Sequence, residues 1–457
     1  MNADRRTRAR TAADRQRRSR PRAAPATQAR SRTTLTRLGS RRSLKLLRRQ
    51  EGCEPMHDEM TIGARLRTLR RWRGMSLAQL AGLSGLSKGF LSKIENGKAA
   101  LGRRSHISAI ATALRISEAD LIGGPHLTAD PVRAAPHATV PAVRAALMTN
   151  SLTAPAADHA RPLAELVAEM GRIDRSEYKH IEVGQKLPAL IDELHVHACA
   201  PTDEPAYRLA LETLVEAFQA ATFTSKDLGH GDLAHVAAMR AAEVAAILDD
   251  PVVTGKAASL RIHTMPTTAR DVALTAAEHA ANALEPHVHD DLGVQVLGML
   301  TLAASMTATV IYDYDRAEHW MRQADEQATR VPDTPGLNWG AFSKTNVGVW
   351  KVALATERGA SSGDLLGLAK NVDEAKLEPR RGRHATFLAD VGRGLARDKR
   401  THKDAAGWLL RAEEVAPHKI RNSAAVGETV ATLVRQTQGA SLGRELRGLA
   451  ARMGIPH

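Results

Sequence analysis

A short segment around residue 90 combines lysines and serines with apolar residues at helical spacing. Lys88, Ser92 and Lys93 fall on the side of a predicted short helix that lies opposite Leu91 and Ile94. A lysine ammonium donates hydrogen bonds to guanine O6 and N7, and a serine hydroxyl contacts bases or phosphates. The pattern predicts a helix that packs by one face and offers the other to nucleic acid.

Two short helices joined by a glycine turn are predicted to position this segment. Ser76 is expected to cap the first helix and Ser87 the second, because a serine oxygen accepts hydrogen bonds from N-terminal amides of a helix. Gly85 between them tolerates the left-handed backbone of a tight turn. This is the organisation of a helix-turn-helix motif. The helices predicted on either side carry the apolar stripes Ile62, Leu66, Leu69 and Ile107, Ile110, Leu114.

The segment resembles the DNA-binding domain of the lambda-repressor-like regulators, also called the xenobiotic-response-element family. The resemblance rests on the string IGARLRTLRRWRGMSLAQLAGLSGLSKGFLSKIENG, followed by ISAIATALRISEADLI. It implies a five-helix domain that binds double-stranded DNA through the second helix of the motif. The implied recognition face consists of Ser87, Lys88, Gly89, Phe90, Ser92 and Lys93.

The same resemblance assigns DNA contacts to residues around the recognition helix. Arg103 lies where some members of the family reach toward the minor groove. The positions at which the family touches phosphate are occupied here by Ser76, Gln79, Asn96 and Lys98.

The resemblance also implies an internal brace, and it is incomplete at two positions. Arg70 and Glu95 match a pair that the family uses as a buried salt bridge between its first and third helices. Leu77 stands where many members have a phosphate-binding glutamine, and Gly89 offers no side chain to a base. The domain is therefore better defined than its individual contacts with DNA.

The positive charge of the chain is concentrated near its N-terminus. The net charge is +14, and residues 1–55 contain 17 Lys and Arg against 4 Asp and Glu. Residues 56–128 contain 11 against 5, whereas the remainder is slightly acidic. The local excess on the helix-turn-helix segment is the informative part, because it supplies sequence-independent attraction to phosphates.

Residues 1–55 form an Arg-rich tail with too few large apolar residues to build a core, and they are expected to be disordered. Three interpretations remain open: an arm that binds nucleic acid, an organelle transit peptide, or a segment that is not translated. We favour the third, because codons for Gln50 to Gly52 can contain a ribosome-binding sequence shortly before Met56.

Motifs of enzymes and metal sites are weak in this sequence. The segment 85–89 reads G-x-S-x-G, but the hydrolase motif requires a preceding strand, and an amphipathic helix is predicted there. Either His195 with Cys199 or His287 with His289 could bind a metal. Nineteen histidines in a helical protein produce such pairs by chance, so we expect no enzymatic activity, no metal and no cofactor.

Beyond a linker predicted at residues 123–140, residues 141–457 show helical patterns separated by Pro and Gly. The predicted fold is all-α: a five-helix domain at residues 56–122 and an α-solenoid behind it. Residues 314–324 and 404–414 resemble halves of tetratricopeptide repeats, without a clean 34-residue consensus. The C-terminal region is similar to the ends of actinobacterial-type regulators, which implies a sensor or dimerisation domain. Its ligand is unknown; a peptide or a small effector is expected.

These patterns together predict a cytoplasmic, nucleoid-associated transcriptional regulator that binds a near-palindromic operator as a homodimer. The chain has only two cysteines, which fits the reducing conditions of the cytosol. No apolar run reaches the length of a membrane span, so we expect no membrane partner. The alternative is an interaction protein whose solenoid binds a protein partner and for which DNA contact is secondary.

Overall fold

The computed structural model describes residues 61–123, 131–175, 179–436 and 442–455 of the 457-residue chain. Throughout these ranges the regular elements are helices, and the only β-type pairing is an isolated bridge between Ser151 and Ala154. The Arg-rich tail and Met56 lie outside the described residues. The protein is all-α over the described ranges, as its sequence predicts.

The first five helices form the compact domain expected around residue 90. Each of the first, second, third and fifth begins after a Thr or Ser whose oxygen accepts a backbone amide of its first turn. The helices are α1 Ile62–Trp72, α2 Leu77–Ser84, α3 Lys88–Glu95, α4 Arg104–Leu114 and α5 Glu118–Ile122.

Apolar side chains from all five helices meet in one core. Leu66, Leu80, Leu91 and Ile110 are completely buried there, which is the outcome that their helical spacing predicts. Gly63 lets α1 approach α3 closely, since a Cβ at this position would collide with the carbonyl oxygen of Ile94. The recognition segment therefore rests on a fixed support.

The remaining helices pack mostly against their neighbours in the chain, as in an α-solenoid. Alanine is frequent where they touch, because its small side chain allows close approach of two backbones. They are α6 Pro131–Thr149, α7 Leu163–Arg175, α8 Lys179–Cys199, α9 Glu204–Asp227, α10 Gly231–Leu248, α11 Pro251–Thr264, α12 Arg270–Leu284, α13 Asp291–Val310, α14 Tyr314–Ala328, α15 Lys344–Arg358, α16 Ser362–Lys370, α17 Arg381–Leu395, α18 His402–Val415, α19 Pro417–Arg421, α20 Ala424–Gln436 and α21 Leu442–Arg452.

The predicted linker is shorter than the sequence pattern suggests. Residues 131–140, expected to be part of a linker at residues 123–140, belong to α6. The helix continues through Pro136 and Pro141 because Val140, Val143 and Leu147 are buried in the core of the solenoid. Apolar burial thus outweighs the amide hydrogen bonds that two prolines remove.

Within the part of the chain that the structure describes, α13 is the one helix long and apolar enough to cross a membrane. All of its apolar window is buried inside the protein, which is the environment of a core helix. Two of its buried hydroxyl groups bond internally: Ser305 Oγ donates to the carbonyl of Ala317 at 2.7 Å, and Thr307 Oγ1 donates to the carbonyl of Ala303 at 2.7 Å. These hydrogen bonds satisfy the two hydroxyl groups without solvent.

Candidate nucleic-acid interface

The turn between α2 and α3 has the geometry that its sequence predicts. Ser76 and Gln79 form a reciprocal capping box, with Gln79 N 3.2 Å from Ser76 Oγ and Ser76 N 2.8 Å from Gln79 Oε1. Gly85 ends α2 with φ of 68°, in the left-handed region. Ser87 then caps α3 by accepting the amide of Phe90 at 3.2 Å. The capping bonds fix the direction of α3 relative to α2.

One face of α3 is open to solvent. Ser87, Lys88, Gly89 and Lys93 are exposed, as are Ser76 and Gln79 beside them. Both Phe90 and Ser92 are half-buried. The sequence-predicted residues of α2 and α3 thus share one accessible surface, and its cationic groups are the two lysines of α3.

Phe90 packs against the helix-turn-helix domain and is only partly exposed to solvent. Its ring meets the ring of His106 on α4 edge to face, with 5.1 Å between centroids. Burial and the nearby Arg103 and Arg397 guanidinium groups lower the pKa of His106 to about 4, so this imidazole is neutral at physiological pH. The contact gives Phe90 a packing role between α3 and α4.

A bidentate ion pair braces α1 against α3. Arg70 Nε lies 2.6 Å from Glu95 Oε1, and Arg70 Nη2 lies 2.8 Å from Glu95 Oε2. The third guanidinium nitrogen, Nη1, donates to the carbonyl of Met75 at 2.7 Å. Because the hydrogen bond and the charge of Glu95 favour the protonated form, they raise the pKa of Arg70. This buried pair holds the C-terminal end of the recognition helix.

The turn that follows α3 accepts hydrogen bonds from residues of the helix-turn-helix domain and of the solenoid. Within the helix-turn-helix segment, Arg67 Nη2 donates to the side-chain oxygen of Asn96 at 2.6 Å. From α20 of the solenoid, Arg435 Nε donates to the carbonyl of Gly97 at 3.0 Å, and Gln436 Nε2 donates to that of Lys98 at 2.9 Å. The two contacts from the solenoid use the backbone, so the exposed side chain of Lys98 stays accessible to a phosphate, whereas the side chain of Asn96 already bonds to Arg67 and to the carbonyl of Ser92.

Arg103 is directed at the solenoid. Its guanidinium lies against Gly359, the left-handed residue that ends α15, and leaves no room there for a Cβ. Its Nη1 is also 3.4 Å from Nε2 of His106. In this arrangement Arg103 contributes to the contact between the two domains, away from the open face of α3. The minor-groove contact that the resemblance implies would require Arg103 to leave Gly359.

Residues 61–121 match the family model described as a helix-turn-helix domain. This segment is a helix-turn-helix domain. No curated protein and no solved structure matches the chain. The match ends where α5 ends, so the helix-turn-helix interpretation covers the first five helices only.

Other residues singled out in the sequence have separate surroundings. The buried His195 ring bonds through Nδ1 to the carbonyl of Ile191 at 2.7 Å, whereas Cys199 Sγ lies 3.6 Å from the carbonyl of Ser151. His287 and His289 are exposed near the start of α13. Ser87 follows helix α2, so the strand that a hydrolase motif requires is replaced by a helix.

Sequence reasoning missed the charged residues that connect the two domains. Glu357 on α15 accepts the backbone amide of Arg104 at 2.9 Å and its Nη1 at 3.4 Å. Glu428 on α20 accepts the amide of Ile62 at the start of α1. These partners lie more than 250 residues apart, and neither belongs to a local motif. These residues can be recognised only because their charges are buried, and burial is known only from the tertiary structure.

Proposed function

We propose that this protein is a sequence-specific DNA-binding transcriptional regulator. The observation that carries the proposal is the face of α3 that lies in a helix-turn-helix domain and exposes Ser87, Lys88 and Lys93 to solvent. In the proposed complex α3 enters the major groove, where Lys88 and Lys93 donate to base edges. Ser76, Gln79, Asn96 and Lys98 contact the phosphates on either side.

Two physical features support this proposal. The helix-turn-helix segment has a local excess of positive charge, which attracts DNA independently of its sequence. The capping box of α2, the cap of α3 and the Arg70–Glu95 pair hold the recognition helix rigidly before any contact forms. Preorganisation of this kind reduces the entropy lost on binding.

The direct test is selection of genomic fragments by the full chain at physiological salt. A recurring inverted repeat among the bound fragments supports the proposal and gives the spacing of half-sites. A Lys88→Ala/Lys93→Ala variant should lose this enrichment, while the matched Lys399→Ala/Arg400→Ala variant, altered on exposed residues of the solenoid, should retain it. Since the Arg-rich tail is present in all three proteins, its nonspecific affinity cancels. Fragments without a common sequence would contradict the proposal.

Lys93→Ala alone provides a finer prediction. We expect operator affinity to fall by about 1–3 kcal/mol, the cost of one direct base contact, with unchanged helicity. If Lys93 touches phosphate only, affinity for all sequences falls equally and the salt dependence decreases by about one ion. Gel-shift titrations on operator and on scrambled DNA separate these results. An unchanged affinity for both would remove Lys93 from the interface.

We further propose that the operator complex contains a homodimer. One helix-turn-helix module buries little surface on DNA, and two modules one helical turn apart supply the specificity expected of a regulator. Light scattering on the operator complex measures the stoichiometry. A single copy bound to a complete operator would defeat this part of the proposal.

The alternative function, an interaction protein with secondary DNA contact, has one favourable observation. A groove of about 890 Å³ lies between α11 and α12, and its floor is apolar. The residues that form this floor include Ala258, Ile262, Ala276, Ala280 and Leu284. Bound fragments without a common sequence would favour this function over operator recognition.

A further inference from the structure

Cationic side chains of the helix-turn-helix domain and of the solenoid come close together at the domain boundary, in a space here called the cleft. Arg104, the first residue of α4, extends into it and brings Nη1 within 3.5 Å of Sδ of Met306 on α13. Lys226, Arg270 and Arg383 approach the same space from α9, α12 and α17, and each of them experiences the charge of Arg104. Four elements distant in sequence thus direct positive charge at one place.

Solvent enters this cleft, yet protein surrounds it. The side chains of Arg104 and Lys226 are exposed, and those of Arg270 and Arg383 are half-buried. Burial nevertheless lowers the pKa of Lys226 to about 8 and those of Arg270 and Arg383 to about 10, and the repulsion from Arg104 lowers each of them further. The cations therefore remain only partly hydrated and repel one another.

Two residues of this region have buried donor groups without a hydrogen-bond partner. Among the described residues, Nε of Arg270 and Nε1 of Trp350 are buried and have no hydrogen-bond partner. Trp350 is 8% exposed, its ring is covered by the Arg383 guanidinium at 4.9 Å, and its edge meets His263. Unpaired buried donors are rare in native proteins and need an explanation.

Carboxylates do not balance the cluster within the described part of the chain. Glu357 forms an ion pair with Arg104, and its Oε1 also lies 3.7 Å from Nη2 of Arg393. Asp227 is held by Lys419 at 2.8 Å. The cations of the cluster are Arg103, Arg104, Lys226, Arg270, Arg383, Arg393, Arg397 and Lys419, and the carboxylates that act on them are Glu118, Asp227, Glu357 and Asp390.

We propose that this cleft binds a small polyanion, a molecule with two or more phosphate or carboxylate groups, between Arg104, Lys226, Arg270 and Arg383. Guanidinium groups bind such oxyanions through paired hydrogen bonds, and they do so most strongly where water is partly excluded. The anion supplies negative charge to the cluster and accepts from the exposed side chains of Arg104 and Lys226.

The site gives the proposed regulator a route from effector to DNA, and this consequence rests on the proposed function. Arg104 begins α4, the helix that packs beside α3 through His106 and Phe90. The amide of Arg104 and its side chain are both held by Glu357 of the solenoid. An anion that binds Arg104 competes with Glu357 for its guanidinium and changes the contact between the domains.

The test is isothermal titration of the full chain with pyrophosphate and, separately, with citrate at 0.15 M salt, in the absence of DNA. We expect one saturable site for at least one of them, and comparison of the two distinguishes a phosphate from a carboxylate ligand. Arg270→Gln should weaken binding tenfold or more, the loss expected when a charge-assisted hydrogen bond is removed. Arg400→Gln is the matched control, since Arg400 pairs with Asp398 on an exposed surface.

Thermal unfolding provides a second measurement of anion binding. The Arg-rich tail is the same in all the proteins compared, and the unfolding transition shows whether each variant is folded. Without anion, Arg270→Gln should unfold at the same or a higher temperature than the unaltered protein, because repulsion in the cleft is relieved. With pyrophosphate, the unaltered protein and Arg400→Gln should gain several degrees, and Arg270→Gln should gain none. Equal gains in all three proteins, or no binding of either anion, would overturn the proposal. Neither readout involves DNA, so failure here leaves operator binding to be judged separately.

Discussion

Two charged sites in this protein, one buried and one partly open to solvent, follow opposite rules. The Arg70–Glu95 pair inside the helix-turn-helix domain is balanced, bidentate and complete, with all three nitrogens of the guanidinium bonded. The cleft at the domain boundary contains more cations than carboxylates, and Nε of Arg270 has no partner among the described residues. The first site resembles a permanent brace, whereas the second has unused binding capacity.

The Arg70–Glu95 pair is expected to stay rigid, whereas the cationic cleft is expected to respond to a bound anion. A balanced pair gains nothing from an added ion, so it holds α1 and α3 at constant geometry. An unbalanced cluster is stabilised by any anion that fits, by mass action. Rigid support beneath the recognition helix and an adjustable contact behind it are the combination that an effector-controlled regulator needs.

The largest expected effect is loss of the balanced pair. Glu95→Gln leaves the Arg70 guanidinium, itself 9% exposed, without its counterion, and should lower the free energy of unfolding by about 3–5 kcal/mol. Urea unfolding followed by circular dichroism measures this. An Arg70→Met/Glu95→Leu variant should recover part of the loss because it removes both charges. A cost below about 1 kcal/mol would show that the brace behaves as a surface ion pair.

The second prediction concerns Glu357→Gln, which removes a carboxylate from the cationic cleft. Removing a carboxylate from a cluster already rich in cations should destabilise the protein by about 2–4 kcal/mol, since Arg104 and Arg393 lose their shared counterion. Urea unfolding of Glu357→Gln and Arg270→Gln should therefore give changes of opposite sign. If Glu357→Gln stabilises the protein, the cleft is not over-cationic and the contrast with Arg70–Glu95 disappears.

A smaller effect concerns pH at the other contact between the domains. Glu428 is 4% exposed, and burial raises its pKa to about 7, although Arg435 and Arg65 oppose this. Between about pH 4.5 and 7 the folded protein keeps a proton that the unfolded chain releases, so stability falls as pH rises through this window. The total change is about 3–4 kcal/mol.

The measurement is the pH dependence of urea unfolding for the unaltered protein and for Glu428→Gln. The difference between the two curves isolates Glu428 from every other titrating group. It should slope downward from pH 4.5 to 7 and flatten above pH 7. A flat difference throughout would place the Glu428 pKa near its ordinary value, and α20 would then hold α1 through an ordinary carboxylate.

Local chemistry explains which features were predictable from the chain. The caps at Ser76 and Ser87, the turn at Gly85 and the inward face of Leu80, Leu91 and Ile94 depend on residues within one or two helical turns. Residues 131–140, which the sequence pattern assigns to a linker, are helical because the buried apolar residues of α6 hold the helix together through two prolines. Local breaking signals are reliable only where no buried face competes with them.

The amino-acid sequence predicted a helical protein with a helix-turn-helix domain at residues 56–122, and it predicted which side of α3 faces outward. These properties follow from side-chain periodicity and from backbone preferences, which act over a few residues. Only the tertiary structure decided that Arg103 turns to Gly359 and that Arg104, Lys226, Arg270 and Arg383 share one cleft. The energy of a charge that is partly removed from water depends on all charges near it in space, and the chain brings these together from positions as far apart as Arg104 and Arg383.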